Sequence, residues 1–166
     1  KKIYSKHKEA IELIFQYSDE SEFGDAAKEF VQGIGANEID RDPAWFVPKE
    51  FNNCFKKIGD DNWCNGYPFA FWFMKRTEKL GIIIEIGPFI DESKRRDFLN
   101  HLKDYNFKIY DKSFKVGGKY TRIFTKYPKF QDWDNKEEII KTMDNLYKMA
   151  NEPAKNLLNA CKSFSW

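Results

Sequence analysis

Two apolar segments separated by a short charged connection constrain the fold of this 166-residue chain more than any other feature. Residues 69–74 have the sequence Phe-Ala-Phe-Trp-Phe-Met, and residues 82–86 have the sequence Ile-Ile-Ile-Glu-Ile. Aromatic and β-branched residues favour strands, so the two segments predict an antiparallel hairpin. Both faces of this hairpin are apolar apart from Glu85, and we therefore expect helices to cover it on both sides.

The N-terminal part of the chain predicts helices. Apolar residues recur at helical spacing over residues 5–17, 23–34 and 48–58, which indicates three short helices. Pro48 suits the first turn of the third helix, and Gly59 suits its end. Between the second and third helices, residues 39–48 predict a loop, and residues 35–48 form the only plausible linker in the chain.

The second half of the chain predicts a further helix, hairpin and helix. Asp91 is expected to cap a helix that runs to about Tyr105. Residues 107–114 and 119–127 predict a second hairpin with its turn at 116–118. A capping box with Asp134 as the cap begins a long C-terminal helix, which Pro153 should kink or split.

These elements together predict a single α+β domain over residues 1–166. Three short N-terminal helices (1–59) precede a ββαββα part (67–164) with a mostly antiparallel four-stranded sheet and a long kinked C-terminal helix. The length fits one domain, and no apolar run is long enough to span a membrane. We expect a cytoplasmic protein, because no signal peptide is recognisable at the N-terminus.

The cysteines and histidines give little support for a metal or cofactor site. The chain has three cysteines, Cys54, Cys64 and Cys161, and two histidines, without a CxxC motif. A structural zinc site would need nearly all five residues from distant parts of the chain. We expect three reduced thiols, no resident metal and no cofactor.

Positive charge is concentrated in the predicted second hairpin. The formal net charge of the whole chain is only +2, but residues 108–129 hold seven basic residues and one acidic residue. Strand alternation would put Phe107, Ile109 and Ile123 toward the core. The opposite face would then carry cations and rings together, a surface that can hold phosphates and stack bases. Its members are Lys108, Tyr110, Lys112, Tyr120, Arg122, Phe124 and Lys126.

The same pattern has a purely structural explanation. Lysines on edge strands prevent edge-to-edge pairing of sheets, and aromatic rings often pack under lysine stems. Trp63, Trp72, Trp133 and Trp166 supply a third alternative, because exposed aromatic residues favour protein interfaces. The chain would then be a protein-interaction or oligomerisation module.

Glu85 is the residue that most invites a chemical role. A carboxylate within an isoleucine-rich strand is costly to bury without a partner. It could pair with Lys75 or Arg76, partner a buried cation, act as a perturbed acid, or bind a metal together with Asp61. The last alternative is a divergent metal-dependent nuclease with Asp61 and Glu85 as candidate catalytic residues.

Residues 67–164 resemble the C-terminal region of bacterial PD-(D/E)XK nuclease-like proteins. The features that carry the resemblance are an aromatic strand, the sequence Glu85-Ile86-Gly87-Pro88 at the end of the next strand, a basic helix, and the segment 120–126 before a capped helix. No catalytic residue can be carried over, since Gly87 stands where the nuclease motif has lysine. The resemblance implies an accessory module of a DNA-processing or phage-defence protein whose catalytic residues lie elsewhere.

The function predicted from the sequence is therefore a non-catalytic module that binds DNA or RNA, or that assists a linked or separate nuclease domain. No membrane partner is expected. The protein-interaction module and the divergent nuclease remain as alternatives.

Overall fold

The structure is a computed structural model that describes residues 22–40 and 42–166. The fold is α+β, as predicted, and the helix predicted at residues 5–17 lies outside the described residues. The described helices are α1 (Glu22–Gly33), α2 (Glu92–Leu102), α3 (Lys136–Met149) and α4 (Asn151–Ser163). The strands are β1 (Asn37–Glu38), β2 (Trp45–Val47), β3 (Phe69–Arg76), β4 (Lys79–Ile86) and β5 (Thr121–Lys126).

The five strands form one open antiparallel sheet in the order β1-β2-β3-β4-β5. The predicted hairpin is its centre: β3 and β4 pair from Phe69 opposite Ile86 to Arg76 opposite Lys79. Strand β5 pairs with the other side of β4. Every strand therefore lies beside its neighbour in the sequence.

The two faces of the central hairpin belong to two different apolar clusters. Strand alternation directs one set of side chains toward a large core to which all four described helices contribute. The opposite face holds a small cluster of Trp72, Met74 and Ile83, against which Trp45 packs. Within the described residues the expected helical cover is thus found on one face only. The strand residues in the large core are Phe46, Val47, Phe69, Phe71, Phe73, Leu80, Ile82, Ile84 and Ile86.

The segment 107–114, predicted as a strand, does not join the sheet. Phe107 and Ile109 are buried as expected, but Asp111–Phe114 form a 3-10 turn. The carbonyl of Ser113 accepts a hydrogen bond from Arg95 Nη1 at 3.4 Å, so the backbone here is satisfied by a side chain rather than by a strand partner. The prediction of a four-stranded sheet is wrong at this element.

The N-terminal part also differs from the prediction. The segment 35–48, predicted as a loop and linker, supplies strands β1 and β2, and β2 pairs with β3. The helix predicted at 48–58 is a single 3-10 turn, Lys49–Phe51. Asn52 is non-helical at the end of this turn and Asn53 has a φ of 67°, so the chain leaves helical geometry at once.

The C-terminal helix is split at the predicted place. Helix α3 ends at Met149 and α4 begins at Asn151, which puts Pro153 in the first turn of α4. A proline is tolerated there because its missing N–H would have no intrahelical partner. No helix in the described ranges is long and apolar enough to cross a membrane.

The helix caps confirm one prediction and correct another. Asp91 caps α2, with Oδ1 accepting from the backbone N of Ser93 at 2.8 Å and of Lys94 at 3.2 Å. Helix α3 is capped by Asn135, whose Oδ1 accepts from the N of Glu138, and not by Asp134 as predicted.

Candidate functional site

A pocket of about 650 Å³ lies on the face of the sheet opposite the large core. Its volume falls within the range typical of ligand sites. Three tryptophans and two tyrosines line it together with three basic residues and one acidic residue. The lining residues are Trp45, Trp63, Trp72, Glu85, Lys108, Tyr110, Lys112, Ser113, Tyr120, Thr121 and Arg122.

The register of β2 and β3 builds one wall of the pocket. Trp45 lies directly opposite Trp72, and their rings stack with centroids 4.5 Å apart and an interplanar angle of 4°. An Asx turn leads into β2, because Asp42 Oδ1 accepts from the N of Ala44 at 2.9 Å. Trp72 is 8% exposed, and its indole N–H has no hydrogen-bond partner in the described structure.

Trp63 reaches the pocket from a tightly bonded loop that precedes β3. Gly59 N donates to Gly66 O at 3.0 Å, and Asp60 N donates to Pro88 O at 3.1 Å. The Trp63 ring lies edge-on to Trp45, with centroids 6.1 Å apart, and 6.2 Å from the ring of Tyr120. The two backbone bonds fix the loop that carries Trp63 beside the pocket.

Gly87 makes room for the ring of Trp63. A Cβ at this position would lie 2.2 Å from both Cε3 and Cζ3 of Trp63, far closer than a normal carbon contact. The position where the nuclease motif would have lysine therefore serves to seat a tryptophan over the end of β4.

Glu85 and Arg122 form an ion pair at the base of the pocket. Arg122 Nε lies 3.3 Å from Glu85 Oε2, and the guanidinium carbon lies 5.2 Å from the centroid of the Trp72 ring. Burial raises the pKa of Glu85 above its usual range, and the charge of Arg122 opposes that shift. The partner of Glu85 is thus a β5 cation, rather than Lys75, whose strand position faces the large core.

A β-bulge divides the predicted basic and aromatic face. Glu85 pairs with Arg122 but Ile84 pairs with Phe124, so Ile123 is an extra residue in β5. Arg122 therefore shares the pocket face, whereas Phe124 lies opposite a core-facing isoleucine and packs against the large core. Lys126 pairs with Ile82 and does not line the pocket. The expectation that all four alternating β5 residues share one face is wrong because alternation stops at the bulge.

Lys108, Tyr110 and Lys112 face the pocket although their segment is not a strand. The burial of Phe107 and Ile109 turns Lys108 and Tyr110 outward, and Lys108 Nζ lies 5.1 Å from the centroid of the Tyr110 ring. Tyr110 is 56% exposed, so its ring remains accessible beside the lysine.

The side chain of Arg95 lies behind the pocket and forms hydrogen bonds to residues of β5 and of the segment after β4. Its side chain is buried, and burial lowers its pKa. Nε donates to Gly87 O at 2.7 Å, while Nη2 donates to Thr121 Oγ1 at 3.0 Å. No carboxylate lies within ion-pair distance of Arg95 in the described ranges. This guanidinium adds positive potential behind a pocket that already carries three exposed cations.

A second groove of about 410 Å³ continues from the pocket along β5. The two cavities share Lys108, Tyr110 and Arg122, so they form one continuous surface. In the part of the chain that the structure describes, β5 has a strand partner on one side only, and the groove follows its other side.

The structure thus brings together five of the seven residues predicted for nucleic-acid binding: Lys108, Tyr110, Lys112, Tyr120 and Arg122. Phe124 lines only the adjoining groove, and Lys126 lines neither cavity. Sequence analysis missed Trp45, because its segment was interpreted as a loop. Its position in an aromatic, β-prone Trp-Phe-Val run is the signal that could have found it.

The residues behind the two alternative functions are arranged differently. Asp61 is exposed in the Trp63 loop, and the described residues contain no group of three or more His, Cys, Asp or Glu side chains placed to hold a metal ion. Trp133 and Trp166 pack against the large core, with their indole N–H groups donating to Thr77 O and Cys161 O. They therefore do not form an exposed aromatic interface.

Comparison with protein-family models, curated proteins and solved structures found no match to this chain. Its class is accordingly given by its own architecture: an α+β protein with an open five-stranded antiparallel sheet and an aromatic, basic pocket on one sheet face.

Proposed function

We propose that this chain binds single-stranded nucleic acid without catalysing a reaction on it. The observation that carries the proposal is the clustering of Trp45, Trp63 and Trp72 with three basic side chains in one cleft. Aromatic rings that stack bases and cations that contact phosphates are the two components of such sites.

The charge of the pocket favours an anionic ligand. Lys108, Lys112 and Arg122 outnumber the single carboxylate of Glu85, so the residues that line the pocket carry a net positive charge. A cationic ligand is disfavoured, because the net positive charge of the pocket would repel it. Arg122 also already lies over the Trp72 ring, where such a cation would bind. An aromatic anion such as a nucleotide fits both the rings and the charge.

The length of the surface favours a strand over a mononucleotide. The pocket and the β5 groove are continuous and share their basic residues, so a ligand anchored at Trp63 can extend past Arg122. A duplex would keep its bases stacked on one another, whereas an unpaired strand can place them on protein rings.

The resemblance to the C-terminal region of PD-(D/E)XK nuclease-like proteins suggests a setting for this activity. The module would hold a strand for a linked or separate nuclease domain in DNA processing or phage defence. This part of the proposal predicts that the strand-binding chain has no cleavage activity of its own.

The test is fluorescence anisotropy with labelled dT and rU decamers at 50 and 200 mM salt. With three phosphate-contacting cations, the slope of log affinity against log salt should be about −2. The double variant Lys108→Glu with Lys112→Glu should abolish binding at 50 mM salt. The matched control Lys155→Glu with Lys162→Glu makes the same charge change on α4 and should retain it.

Two outcomes would contradict the proposal. One is the absence of binding of any single strand at 50 mM salt by folded protein. The other is equal loss of affinity in the α4 control, which would indicate nonspecific attraction to net charge. Light scattering on the same samples would reveal an oligomer without nucleic-acid affinity, the result that the interaction-module alternative predicts.

A further inference from the structure

The carboxylate of Glu85 has unused hydrogen-bonding capacity in the pocket. Its side chain is 9% exposed, and its one hydrogen bond within the described residues comes from Arg122 Nε to Oε2. A carboxylate offers two oxygens with about four acceptor sites, so Oε1 and part of Oε2 remain without a donor. Glu85 lines the pocket, so a ligand in the pocket can donate hydrogen bonds to these acceptor sites in place of solvent.

Arg122 presents unused donors beside these acceptors. Its side chain is 47% exposed, and its Nη1 and Nη2 groups have no hydrogen-bond partner among the residues described. The Trp72 ring on β3 packs against the guanidinium group. The pair therefore presents two acceptor oxygens and a neighbouring N–H donor to the same cavity.

The four bases differ in whether they complement this arrangement. The Watson–Crick edge of guanine carries two adjacent donors, N2–H and N1–H, followed by the O6 acceptor. Adenine has one donor beside an acceptor, cytosine has one donor followed by two acceptors, and thymine and uracil have one donor between two acceptors. Only guanine supplies two donors for a carboxylate and an acceptor for an adjacent arginine.

Resting on the proposed nucleic-acid function, we propose that the pocket selects an unpaired guanine in a single strand. Glu85 accepts from N1–H and N2–H of the base, and Arg122 donates to O6. The base plane stacks on the ring of Trp63, while Lys108 and Lys112 contact the flanking phosphates. Glu85 and Arg122 would thus determine specificity, whereas the rings and lysines would supply affinity for any strand.

The experiment compares dT nonamers that carry G, A, C or T at the central position, by anisotropy at pH 7.5. The G strand should bind at least about fivefold more tightly than the other three, the lower end of discrimination by a bidentate contact. A strand with inosine, which lacks N2–H, should lose most of that preference. This comparison uses the unaltered protein and does not depend on the folding of a variant.

Glu85→Gln tests the residue assignment, since one acceptor oxygen becomes a donor that opposes N1–H or N2–H. It should bind all four strands within about twofold of one another. The matched control is Glu78→Gln, an exposed residue in the β3–β4 turn, which should keep the preference for G.

The outcomes separate this inference from the proposed function. Equal binding of the four strands by the wild-type protein, or preference for another base, would overturn guanine selection and leave strand binding in place. A preference for G that survives Glu85→Gln would overturn the assigned contact. Absence of binding to all four strands would overturn both proposals.

Discussion

Replacement of Gly87 by alanine tests the aromatic pocket without replacing any charged or aromatic residue. The added Cβ would lie 2.2 Å from Cε3 and Cζ3 and 2.7 Å from Cη2 of Trp63. Carbon atoms normally pack at about 3.5–4.0 Å, so the ring must move by roughly 1.5 Å. The backbone cannot yield easily, because Gly87 N donates to Pro68 O and Gly87 O accepts from Arg95.

Gly87→Ala should weaken oligo-dT binding more than it lowers the free energy of unfolding. Trp63 is half-buried and can swing toward solvent, so the loss in unfolding free energy should be about 1–2 kcal/mol, in the lower part of the range for overpacking. Loss of one stacking ring should cost about 1–3 kcal/mol of binding free energy, or roughly 5- to 150-fold in affinity for oligo-dT. Anisotropy measures the affinity, and urea unfolding followed by circular dichroism measures the stability.

The control is Gly24→Ala in α1, where nothing lies within 4 Å of the new Cβ. This variant should be more stable by about 0.5–1 kcal/mol and should bind oligo-dT normally. The double variant Gly87→Ala with Trp63→Ala should bind no more weakly than Trp63→Ala alone, because both changes remove the same contact. Normal affinity in a folded Gly87→Ala protein would refute the role assigned to Trp63.

Four further predictions follow from individual residues. Arg95→Leu should lower the unfolding free energy by about 2–4 kcal/mol in urea titration, because buried carbonyl and hydroxyl acceptors lose their donor. Asp91→Ala should lower it by about 1 kcal/mol through loss of the α2 cap. Burial, reinforced by the charge of Glu85, raises the pKa of Cys64 to about 12, so a thiol reagent at pH 8 should label Cys64 roughly 10- to 100-fold more slowly than an unperturbed cysteine. Burial raises the pKa of Glu85 in the folded state, so the stability that its protonated form contributes is lost as pH rises above about 4.5. The urea midpoint of Glu85→Gln should therefore rise relative to that of wild type as pH increases from this value.

A result opposite to any of these four predictions would contradict the structural reason given for it. A fast-labelling Cys64 would place its thiol in solvent. A midpoint difference between Glu85→Gln and wild type that does not change with pH would mean that the carboxyl titrates alike in both states. An Asp91→Ala protein as stable as wild type would show that α2 needs no cap. An Arg95→Leu protein of normal stability would mean that its acceptors find other donors.

The elements that the sequence predicted correctly are those fixed by local pattern. The continuous aromatic run of β3 and the β-branched run of β4 form a hairpin, and helical spacing defines α1, α2 and the divided C-terminal helix. A turn also forms at 116–118, where Gly117 adopts a φ of 81° and Gly118 N bonds to Lys115 O, but it does not join two paired strands as predicted.

The incorrect predictions concern segments whose backbone conformation is determined by contacts with residues distant in the sequence. Residues 107–114 alternate like a strand, yet Arg95 binds the Ser113 carbonyl and the segment turns away from β5. Residues 35–48 have turn-forming residues, but β3 offered an unpaired edge on which β2 could form. The intrinsic strand or turn propensity of a residue is a weak predictor in these two segments. Pairing with a sheet edge and hydrogen bonds to buried polar groups contribute more to the free energy of folding than propensity does.

The sequence by itself determined which residue types were present to make a site: the cations of the 108–126 region, the rings near them, and one carboxylate in an isoleucine run. Only the tertiary structure decided which of them meet. The bulge at Ile123 brought Arg122 to Glu85 and sent Phe124 to the other face, and the β2–β3 register stacked Trp45 on Trp72. A one-residue shift reverses the face of every later side chain, and nothing local in the sequence specifies where that shift occurs.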